Sequence, residues 1–83
     1  MSDAELLNRV TMNPQLMVGK PVIRGTRLTV DHILNRLAHG DTEADILREH
    51  IRLTSDDIKA CLLFATKSLQ DASFVPLALE SVR

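Results

Sequence analysis

Aromatic residues are nearly missing from this chain: its 83 residues include Phe64 and Phe74 but no Trp and no Tyr. That argues against any binding mode that stacks nucleobases on an aromatic platform. The single cysteine, Cys61, rules out an internal disulfide. His32, His39 and His50 have neither the spacing nor the Cys or acidic companions of a metal site. No cofactor or metal is expected. The sequence has no long apolar run, signal-peptide pattern or lipidation motif, which predicts a cytoplasmic protein without a membrane partner. Gly19-Lys20 is not a phosphate loop, because Pro21 and a strand-like run follow it where a Ser or Thr and a helix are needed. Asp56-Asp57 reads as a capping pair rather than a catalytic dyad, and Cys61 as a buried structural thiol. Nothing in these residues points to an enzyme.

What is present describes one small folded domain. Apolar residues make up 45% of the chain and charged residues 25%, ordinary values for a globular protein. The net charge is −1, too little to attract a polyanion indiscriminately. Its distribution is uneven: residues 1–36 hold five Lys/Arg against three Asp/Glu, and residues 37–83 hold five against eight. Separate basic and acidic faces are one consequence of such a split.

The chain divides into a leader (1–18), a β-hairpin (19–30), a three-helix body (30–69) and a tail (70–83). Residues 1–8 suit a short or loose helix. Pro21–Arg24 and Arg27–Val30 are β-compatible runs around Gly25-Thr26, which predicts a two-residue hairpin loop. Gly19 is a second permissive backbone point. From Val30 the period becomes helical, with Val30, Ile33, Leu34, Leu37 and Ala38 forming one stripe. Thr29 is its N-cap and Gly40 its stop. Thr42-Glu43-Ala44-Asp45 spells a capping box that opens a second helix, with Ala44, Ile46 and Leu47 on its buried side and fraying expected near His50.

Thr54-Ser55-Asp56-Asp57 repeats that signal and opens a third helix from Ser55 to about Leu69. On this helix Ile58, Cys61, Leu62 and Ala65 form one face, and Ala60, Leu63 and Phe64 widen it. So broad an apolar surface needs cover on two sides. A homodimer and the N-terminal hairpin are the two candidates. The tail carries Phe74, Val75, Leu77 and Leu79 around Pro76, too apolar for a solvated end. Leu63, Phe64 and these four tail residues are the candidate partner or dimer interface.

In the predicted hairpin Arg24 faces Arg27, and Ile23 faces Leu28 on the core side. Opposed like charges cost roughly 0.2–1 kcal/mol. An anion between them reverses that cost, because guanidinium forks bind phosphate or carboxylate bidentately. Lys20, Arg24 and Arg27 are therefore the candidate anion or nucleic-acid residues. Pairing of either arginine with Asp31 or Asp57 is the competing reading.

The helices over 42–50 and 54–69 match helix-turn-helix spacing. The fold expected is mostly α: a small tri-helical, helix-turn-helix-like (homeodomain-like) domain preceded by a short β-hairpin. A recognition helix beginning Thr54-Ser55-Asp56-Asp57 would bring carboxylates toward DNA, and Lys59 does not offset them.

Residues 19–65 resemble a small prokaryotic family, domain of unknown function 433. The resemblance rests on Gly19-Lys20-Pro21, Gly25-Thr26-Arg27, Val30 opening a helix, Gly40 closing it, and Leu53-Thr54 followed by Asp57-Ile58. It implies a homeodomain-like or winged-helix-like fold. It also implies the antitoxin of a type II toxin–antitoxin system, binding a PIN-like ribonuclease and its own operator DNA. A stand-alone nucleic-acid-binding regulator and a dimeric interaction domain are the alternatives.

Overall fold

The structure is a computed structural model that describes residues 1–15 and 17–71. The tail residues Phe74, Val75, Pro76, Leu77 and Leu79 lie outside the described residues. Within them the domain is mostly α, with four helices and a two-stranded antiparallel sheet: α1 (Asp3–Leu7), β1 (Val10–Met12), β2 (Pro21–Ile23), α2 (Val30–Ala38), α3 (Glu43–Glu49) and α4 (Ser55–Asp71).

The leader is a true helix because Ser2 and Glu5 close a capping box, each side chain bonding the other's backbone N–H at 3.1 Å. The helix packs on α4. Between the strands lies a short 3₁₀ turn, Met17–Gly19, in which Met17, Val18 and Gly19 all have positive φ. A β-branched residue there is strained, since the left-handed region crowds its Cβ.

The sheet differs from the predicted hairpin in its main partner. β2 pairs with β1, in the register Val10–Ile23, Thr11–Val22 and Met12–Pro21. The segment that follows Gly25 contributes a single bridge, Val22 to Thr29, and one further bond from Ile23 N–H to the Leu28 carbonyl. The turn is also centred one residue earlier. Thr26 N–H donates to the Ile23 carbonyl at 3.0 Å, making Arg24 and Gly25 the central pair. Gly25, at φ +81°, supplies the positive φ that the third position of a type II turn needs. Thr26 then locks the loop: its hydroxyl donates to the Ile23 carbonyl at 2.8 Å and accepts from Leu28 N–H at 3.1 Å.

The helical signals act where the sequence places them. The Thr29 hydroxyl accepts from His32 N–H, and Gly40 follows α2 at φ +100°. Thr42 and Asp45 complete a second capping box. Arg36 ties the end of α2 to α3 by binding both Asp41, at 2.6 Å, and Glu49. The core comprises Ile23, Val30, Ile33, Ile46, Leu53, Ile58 and Cys61, with Val10, Leu28, Leu34, Leu37, Leu47 and Phe64 packed around it. Burying each large aliphatic side chain stabilises the fold by about 1.5–3 kcal/mol. Two expected core residues are outside it. Leu62 is exposed because the core-facing side of α4 centres on Asp57, Ile58, Ala60 and Cys61; Ala44 is exposed on α3, whose buried residue is Ile46.

Candidate functional site

The three candidate cations do not form one site. Lys20 sits beside the N-terminal turn of α2 and binds Asp31 at 3.3 Å, with both groups well exposed. Such a pair contributes little. The Asp31 carboxyl lies below its ordinary range, chiefly because the Thr29 hydroxyl bonds it and to a lesser degree through Lys20.

Arg24 folds back in the other direction. Its Nε donates to the Asn8 carbonyl at 2.8 Å and its Nη2 reaches Asn8 Oδ1 at 3.4 Å. Asn8 is the C-cap of α1, so Arg24 satisfies a helix-end carbonyl that has no partner within its own helix. The expected pairings of Arg24 or Arg27 with Asp31 or Asp57 are not the ones formed. Arg27 makes no salt bridge among the described residues. It lines a separate concavity with Thr26, Leu28, Glu49, His50, Ile51 and Arg52.

Asp57 belongs to a different arrangement, invisible in the local sequence. Its carboxylate accepts from Thr54 N–H at 2.9 Å and from the Thr54 hydroxyl at 3.2 Å, which makes it the inner half of the α4 cap. The other oxygen accepts from Arg9 Nη1 at 3.0 Å. Arg9 also approaches Asp56 at 3.8 Å. The acidic start of α4 is therefore tied to the junction between α1 and β1. Desolvation pushes the neighbouring Cys61 thiol up to about 12, with the Asp57 charge adding to it. Such a thiol is protonated and inert at neutral pH.

The outer side of α4 is different in character. Leu62 and Leu69 are 48% and 63% exposed. They lie seven residues apart, two turns along one helix face. Of the interface residues expected from the sequence, Leu63 and Phe64 are half-buried, and Phe64 packs against the core. Leu62 and Leu69 carry the exposed apolar surface instead. Among the described residues no group of three His, Cys, Asp or Glu side chains could hold a metal ion. No described helix is long and apolar enough to cross a membrane.

No curated protein matches this chain. A crystal structure of a DUF433 member protein from Anabaena variabilis superposes with a TM-score of 0.73 at 22% identity. The superposition covers 81% of this chain and 66% of that one, so the present chain spans slightly under two thirds of that protein, and the likeness concerns the fold. The family model described as protein of unknown function, DUF433, matches residues 10–65. That span holds both strands, the Gly25 turn, α2, α3 and most of α4; the chain belongs to the DUF433 family.

Proposed function

We propose that this protein is an antitoxin: a non-enzymatic, dimeric binding module that neutralises a PIN-like ribonuclease. The observation that carries the reading is the exposed apolar face of α4 at Leu62 and Leu69. Scattered exposed leucines are common, but two on one face of the longest described helix give a partner two apolar contact points two turns apart.

The competing reading, a nucleic-acid-binding regulator, has weaker support. Lys20 and Arg24 are spent on contacts within the chain. The first turn of α4 carries Asp56 and Asp57; Asp57 is buried against Arg9, and Asp56, with its side chain 39% exposed, is the charge that would repel a phosphate backbone. Operator binding therefore stands as a secondary role of the antitoxin, not its main one.

The test is co-expression of the full chain with a PIN-like ribonuclease from the same host. Growth rescue and co-purification through a high-salt and a nuclease wash are expected. The Leu62→Ser/Leu69→Ser variant, with folding verified by circular dichroism, is expected to lose both. Undiminished rescue by that variant would remove the α4 face from the account. Co-purification of nucleic acid alone, lost in salt, would replace the antitoxin with the regulator.

A further inference from the structure

The arginines among the described residues divide into two groups. Arg9, Arg24, Arg36 and Arg48 each have a partner: Asp57, Asn8, Asp41 with Glu49, and Asp45. Arg27 and Arg52 have none among the described residues. These two come from different parts of the chain, the loop before α2 and the connection between α3 and α4. They nevertheless line the same concavity, of about 350 Å³.

The surroundings leave both guanidiniums available. Glu49, the one carboxylate lining that concavity, is held by Arg36. His50 closes α3 beside it and adds a third basic group. Ile51, between His50 and Arg52, is 95% exposed. An isoleucine so fully in water contributes nothing to this domain's own core. Next to Arg52 in the chain and sharing a concavity with Arg27, it has the character of an interface anchor.

We propose that the Arg27–Ile51–Arg52 concavity is a docking site for an acidic segment of a partner protein. Each guanidinium grips a carboxylate bidentately, and Ile51 enters an apolar pocket between them. A magnitude decides against a nucleic-acid backbone. Two phosphate contacts give a log–log salt slope of only about −2, whereas strong duplex binders make roughly six to ten contacts. A protein interface needs only a few such anchors, because a handful of residues carry most of its affinity. The inference rests on the antitoxin reading for the identity of the partner.

The experiment measures binding of the full chain to the PIN-like ribonuclease by calorimetry. Arg27→Ala/Arg52→Ala and Ile51→Ser are each expected to weaken binding by about tenfold or more. Lys20→Ala/Arg48→Ala removes the same charge from two exposed ion pairs outside both faces and is expected to stay within about twofold. Equal losses from both double variants would reduce the effect to net charge and overturn the site.

If the wild-type chain does not bind the ribonuclease at all, the antitoxin reading fails by itself. The site is then judged by NMR, titrating the labelled full chain with an acidic leucine-containing peptide (Asp-Leu-Leu-Glu repeats) and, separately, with a 12-base-pair DNA duplex. Shifts at the Arg27 and Arg52 Nε–H groups and at Ile51 on adding peptide support it. Shifts elsewhere, or stronger ones with the duplex, overturn it.

Discussion

Two four-residue stretches of this chain have the same design. Thr42-Glu43-Ala44-Asp45 and Thr54-Ser55-Asp56-Asp57 each place a threonine cap three residues before an aspartate, and each opens a helix. Their surroundings diverge. The Asp45 side chain is 40% exposed, and its other contact is Arg48, on the next turn of the same helix. The Asp57 side chain is 9% exposed and bound to Arg9, 48 positions earlier in the chain. One device only starts a helix. The other starts a helix and also fastens α1 and β1 to it. A capping signature thus identifies a helix start without revealing what else its carboxylate holds.

The largest effect is expected at Asp57. Asp57→Ala removes three hydrogen bonds and leaves Arg9 with only its looser contact to Asp56. Loss of one partner from a fully buried pair costs about 3–5 kcal/mol, and the partial exposure of Arg9 brings the expectation down to about 2–3 kcal/mol. Urea unfolding measures it. Arg9→Gln should cost less, because Thr54 still satisfies Asp57. The Cys61 thiol gives a second reading: its labelling by a thiol reagent should accelerate in the Asp57 variant as the α4 start opens more often. An unchanged labelling rate would mean that the Arg9 tie does not hold that part of the helix.

Thr42→Ala removes only a local cap, so about 1 kcal/mol is expected. A loss as large as that of Asp57→Ala would dissolve the distinction between the two devices.

The smallest effect lies in the acid limb of stability. Backbone and side-chain hydrogen bonds from Thr42 hold the Asp45 carboxyl below its ordinary value. A depressed carboxyl contributes stability that is complete above its unfolded pKa, about 3.9. That contribution is lost as pH falls through the lower folded value. Asp45→Asn should therefore flatten the stability profile below about pH 4 and leave its shape near pH 7 unchanged. A profile that keeps the wild-type acid limb would assign that limb to other carboxylates.

These contrasts also explain what the sequence disclosed. The helix starts at Thr29, Thr42 and Thr54, the stop at Gly40 and the need for a turn at Gly25, though not its centre one residue earlier than Gly25-Thr26, depend on residues within a few positions of one another. They were legible for that reason, and so was the mostly helical fold. The strand pairing was not: β2 chose β1 across the 3₁₀ turn, and three-residue strands carry almost no periodicity. Leu62 fits a helical stripe with Ile58 and Ala65, yet the position of the neighbouring elements decides which stripe is buried. The candidate site was legible only in part. Arg27 stood out by composition, whereas Arg52 and Ile51 carry no local signal, because only the folded chain brings them to the Gly25 loop. Lys20 and Arg24 drew attention as a cationic cluster that folding disperses.

The Arg9–Asp57 tie spans 48 positions, and that separation has a consequence for how the protein is made. At ~5–20 residues per second of synthesis, Arg9 leaves the ribosome roughly 2–10 s before Asp57. Through that interval α1 and β1 have no helix to close upon. The entropy of so long a loop must be met before the closing contacts form. α1 and β1 are made well before the helix that fixes them, so this domain matures in one late closure around α4.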